Sequence, residues 1–155
     1  MKNARRGARR GRNERGIQLV ELSIVLPVMF MLMAVIVEFG NYYHTFNTLS
    51  KATRVAARYI STKDLSTTEI DKAKNMAVCG STSTCTSTTS VLPNFTAANV
   101  SVTNTGNTLY PQTVTVAITG FTYQPLFDLS RFASTLVWSN VPVAASTTMR
   151  HGYAD

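Results

Sequence analysis

The run from Ile17 to Val37 constrains this chain more than any other feature. Only Gln18, Glu21 and Ser23 in it are clearly polar. Written as a helix, it is about 31 Å long, close to one hydrocarbon thickness. The expectation is a membrane-spanning helix. Pro27 lies inside it, removes one backbone donor and should kink it, which membrane helices tolerate. Glu21 is the anomaly, because a charged side chain at the centre of a span costs roughly 2.5–3.5 kcal/mol even on permissive scales.

The net charge of +7 sits almost wholly ahead of that run. Lys2, Arg5, Arg6, Arg9, Arg10, Arg12 and Arg15 stand against Glu14, and residues 17–155 are nearly neutral. Residues 1–16 have no large apolar side chain beyond Met1 and are expected to be disordered. Their charge places them on the cytoplasmic side and the C-terminal part on the exported side. A nucleic-acid binder would carry its basic patch on the folded part, with aromatics interleaved. The near-neutral remainder opposes that role.

Helical patterning continues past the span. Tyr42, Phe46, Leu49, Thr53, Ala56 and Ile60 recur at steps of three and four, a stripe that faces a packing partner. One helix from about 18 to 61 is expected, the alternative being a break near Gly40. Next, Ser66 followed by Glu69 predicts a capping box for a second helix, with Ile70, Ala73 and Ala77 on one face and Gly80 at its end. The loop "STSTCTSTTS" follows. Cys79 and Cys85 lack the company a zinc site needs. In an oxidising compartment they would close a small disulfide ring, otherwise they stay thiols; export makes the ring the expectation.

From about residue 98 the period becomes two. Val100 and Val102 share a face, and Val114, Val116 and Ile118 point inward between outward Thr113, Thr115 and Thr119. "NTGNT" marks a turn between them. Phe121 and Tyr123 take the opposite parity, which a bulge at Gly120 would explain. "LVWSNVPVAASTTMR" supplies a third strand region, interrupted near Pro142. The fold class is α+β: a long N-terminal helix, transmembrane then amphipathic, a short second helix and a small antiparallel sheet. The segments are a basic leader 1–16, a transmembrane helix 17–40, its amphipathic continuation 41–62 and an exported domain 63–155.

No catalytic constellation is present. His44 and His151 have no nucleophile nearby in sequence, and no phosphate-binding, dinucleotide or zinc-protease motif occurs. Neither an enzyme nor a cofactor or metal protein is expected. The apolar run is too long for a usual signal h-region, and no small-x-small site follows it. The segment is therefore either retained as a plain anchor or processed at its cytoplasmic edge.

"G-IQLVE" at 16–21 resembles the prepilin leader of type IV pilins and pseudopilins: a basic stretch ending in Gly, with Glu fifth after it. Glu21 to Pro27, "EFG" at 38–40, "ATRVAARY" at 52–59, "FTYQPLF" at 121–127 and "STTMR" at 146–150 resemble TadE-like pseudopilins of Tad pilus machines. The resemblance is strongest over 15–60. Ile17 departs from the Phe typical of the first mature residue in type IV pilins. The resemblance implies cleavage between Gly16 and Ile17 by a prepilin peptidase, other pilin or pseudopilin subunits and an inner-membrane assembly platform as partners, no nucleic acid, and residence in the bacterial inner membrane with export of the C-terminal domain. Glu21 then acts as an assembly or registry residue, pairing with the ammonium of a neighbouring subunit. Glu38 is either solvated or pairs with a basic group of a partner helix. The competing reading is an uncleaved single-pass anchor carrying a periplasmic binding domain.

Overall fold

The computed structural model describes residues 4–86, 89–106, 111–127 and 140–152. Helix α1 runs unbroken from Ala4 to Ile60. It therefore starts within the basic leader, where disorder was expected. Ala, Arg and Glu are good helix formers, and extending an existing helix avoids the nucleation cost. Gly40 does not break it. The chain divides after Gly40 into two compact units. In the first, the apolar side chains from Ile17 onward are exposed, with Ile17 itself 67% accessible.

The second unit is built on the last five turns of α1. Leu49, Thr53, Ala56, Ala57 and Ile60 are fully buried there. Phe46, expected in that stripe, is 38% exposed, and Thr45 is buried instead. Positions 45 and 46 straddle the stripe axis, each about 50° from it at 100° per residue. The core forms on the side of Thr45, whose hydroxyl donates to the Asn41 carbonyl at 3.0 Å.

Helix α2 spans Thr67–Cys79. Ser66 caps it by accepting from the Glu69 amide at 3.4 Å. Gly80, at φ 69°, ends it with its amide on the Met76 carbonyl at 3.0 Å. Ala73, Ala77 and Val78 are buried. Only half of the capping box forms, because the Glu69 carboxylate turns to other partners. Cys79 and Cys85 are joined in a disulfide that ties the Ser/Thr-rich loop to the helix end. Ser87 and Thr88 of that loop lie outside the described residues.

Strands β1 (Val100–Gly106), β2 (Pro111–Ile118) and β5 (Ser146–Arg150) form an antiparallel sheet in the order β1-β2-β5. Val102 pairs with Val116, and Val114 with Met149. Val114, Val116 and Ile118 are buried, as their alternation predicts. The register shifts between Thr105 and Gly106, where Gly106 has φ 92°. The rest of the predicted turn, from Asn107, lies outside the described residues, as does the start of the third strand region, Leu136–Ser139.

The parity change near Gly120 is not a bulge within one strand. β2 ends, and β3 (Thr122–Tyr123) pairs with β4 (Val141–Pro142) as a separate two-stranded sheet. Gly120, at φ 70°, makes the corner. Two backbone bonds carry the paired chains from one sheet to the other, Ile118 to Ala145 at 2.8 Å and Val143 to Phe121 at 2.9 Å. Pro142 occupies this short edge ladder, where a missing donor is tolerated. Phe121 and Tyr123 consequently reach the core. Phe121 stacks edge-on with Phe95, and Tyr123 with Tyr42, both at 5.6 Å between ring centres. Thr53 is a polar residue in this core, and its hydroxyl meets that of Thr147 on β5 at 2.9 Å.

Candidate assembly segment

Gly16 is inside α1, and an added Cβ there would meet nothing within 4 Å. Glycine in a helix interior is unfavourable by about 1 kcal/mol relative to alanine. No close packing of the folded chain explains it. Ile17 follows, and Glu21 stands one turn further on, exposed like its apolar neighbours. Helical side chains lean toward the N-terminus. The Glu21 carboxylate therefore lies over the turn that begins at Ile17. Ser23 satisfies its own hydroxyl on the Val20 carbonyl at 2.7 Å. Pro27 sits within the continuous helix and deprives the Ser23 carbonyl of its usual intrahelical donor.

Glu38 is 1% exposed. It falls seven residues before Thr45 and eleven before Leu49, on the face of α1 that is buried throughout its last turns. A carboxylate followed by Phe39 and Gly40 gave no sign of this. The spacing to Leu49 is the signal that could have.

Away from the apolar span, one ionic cluster ties the helices of the second unit. The Tyr59 hydroxyl donates to Glu69 Oε2 at 2.7 Å, and Lys72 Nζ donates to Oε1 at 2.7 Å. The Lys72 bond first, then the Tyr59 bond, holds the Glu69 carboxyl below the usual carboxylate range. The bond to Glu69 in turn raises both Lys72 and Tyr59 above their ordinary values. His151 Nε2 donates to the Lys63 carbonyl at 2.9 Å, fastening the end of β5 beside the end of α1. His44 is exposed, and the two histidines are not brought together. Among the described residues no group of three His, Cys, Asp or Glu side chains could hold a metal ion.

Among the described residues one helix, over Gly16–Ile60, is long and apolar enough to cross a membrane. That fits a single-pass membrane anchor. The family model described as TadE-like protein matches residues 16–58. No curated protein and no solved structure matches the chain. The match opens at Gly16, includes Glu21, Pro27 and Glu38, and closes two residues before α1 ends. Over residues 16–58, which carry its apolar span and the first helix of its folded unit, the chain is similar to TadE-like proteins.

Proposed function

We propose that this protein is a minor pilin or pseudopilin of a Tad-type pilus assembly or secretion system. It is a structural subunit, not an enzyme. A prepilin peptidase cleaves it between Gly16 and Ile17. The mature chain remains in the inner membrane, with its folded unit exported, until it joins or primes a pilus with other subunits on the assembly platform. The observation that carries the reading is the position of Glu21 relative to Gly16. In the uncut chain Glu21 lies more than four turns from the start of α1. After cleavage it stands at the first turn of a new helix, close to a new ammonium, where the helix dipole favours a negative charge. That Gly16 has no packing neighbours in the uncut chain supports this reading. Glu21 then pairs with the Ile17 ammonium of a neighbouring subunit, which makes its charge tolerable in an apolar bundle.

Glu21→Ala is expected to insert into membranes at wild-type level. Its assembled fraction should fall at least about tenfold, the effect of losing roughly 1.4 kcal/mol per subunit contact. Fractionation of sheared pili against membranes measures both. Normal assembly of the variant would remove this role for the carboxylate.

One observation favours a second reading. α1 passes through Gly16 without interruption, and a protease requires that backbone to unwind. An uncleaved single-pass anchor carrying a periplasmic binding domain would keep residues 1–16.

A further inference from the structure

The outward face of α1 in the second unit carries Lys51, Arg54 and Arg58, spaced by three and four residues and all exposed. They lie opposite the buried stripe of Leu49, Thr53 and Ile60. Among the described residues, salt bridges join Lys72 to Glu69 and Lys74 to Asp71, and none involves these three cations. Like charges at such spacing weaken a helix. The helix dipole accounts for Arg58, in the last turn, but its influence does not reach Lys51 or Arg54.

Beside the cations runs an apolar groove of about 210 Å³ between α1 and α2, lined by Lys51, Val55, Met76, Ala77, Gly80 and Val91. Val55 and Val91 are 49% and 46% exposed. The groove is smaller than the roughly 300–1,000 Å³ of small-molecule pockets. It suits an anchoring side chain of a larger partner. Lys51 belongs to both features and Val55 adjoins Arg54, so cation row and groove form one surface.

We infer that this surface docks an acidic, amphipathic segment of a partner protein, which seats an aliphatic side chain in the groove and sets its carboxylates against Lys51, Arg54 and Arg58. A protein segment fits better than the other polyanions. Single-stranded nucleic acid needs aromatic platforms for its bases, and the groove lining has none. Lipid headgroups carry no aliphatic side chain to seat in the groove beside the cations. The inference does not depend on cleavage of the leader, because every residue involved lies after Gly16.

The test replaces Val55 in the full-length chain with photo-crosslinking benzoylphenylalanine, irradiates the producing cells and sequences the peptide captured. The same probe at exposed Thr103 on β1 is the control. The expected product is a peptide rich in Asp or Glu with interspersed aliphatic residues. Its yield should fall at least tenfold in Lys51→Glu/Arg54→Glu/Arg58→Glu and persist in Lys51→Arg. If the triple reversal fails to fold, Lys51→Gln/Arg54→Gln/Arg58→Gln should still lower the yield at least threefold. Four results would overturn the inference: no product above the Thr103 control, a captured nucleic acid or lipid, a peptide without acidic residues, or a yield unaffected by removing the cations.

Discussion

Glu69 ties α2 to α1 through Oε2, which accepts from Tyr59, while Oε1 accepts from Lys72 on its own helix, and its chemistry sets a pH window. A carboxyl that is more acidic folded than unfolded contributes stability above its unfolded value, near 4.5, and loses it as pH falls through the lowered folded value. Lys72 and Tyr59 are raised, so their contributions hold below ordinary values near 10.5 and 10.0 and vanish as pH rises through the raised ones. The cluster therefore stabilises between the carboxylate range and about pH 10. Glu69→Gln should lower the melting temperature at pH 7, with the gap to wild type closing as pH falls below about 4. Thermal melts of the full chain in detergent across that range check it; a gap that persists at pH 3 would mean Glu69 acts through packing alone. Sequence pattern identified Glu69 as a capping-box residue but not its bond to Tyr59. A helix end folding back on the next helix is a tertiary event, and local spacing carries no record of it.

At the scale of elements, the strongest local signals translated directly. Ser66 and Gly80 bound α2, and alternation across Val114, Val116 and Ile118 gave the central strand. Ser66→Ala should cost about 0.5–1 kcal/mol, toward the low end for a cap because its bond is long at 3.4 Å. The corner was harder to read. Gly120 with a parity change looks the same in sequence whether a strand bulges or leaves its sheet. The partner of β3 is β4, about twenty residues later, and nothing local announces that pairing. Gly120→Ala should cost about 1–2 kcal/mol, because φ 70° crowds a Cβ against its own carbonyl. Urea midpoints for both variants measure these losses. A Gly120→Ala midpoint equal to wild type would mean the corner relaxes. Phe46 and Thr45 show a second limit: two positions equally far from a stripe are separated only by where the sheet packs.

At the scale of the whole molecule, the chain carries a helix with an exposed apolar surface and a small α+β unit with its own core. The apolar run was legible because membranes and helix periodicity act on local sequence. In the proposed account the basic leader is a temporary part, and with it goes most of the positive charge. The central claim is cleavage after Gly16, and the intact mass of the protein isolated from its own membranes tests it most directly. The account predicts a chain that begins at Ile17 and lacks residues 1–16, with a bulky replacement of Gly16 leaving the leader attached. A wild-type chain recovered only at its full 17.0 kDa would contradict it and leave the uncleaved anchor standing.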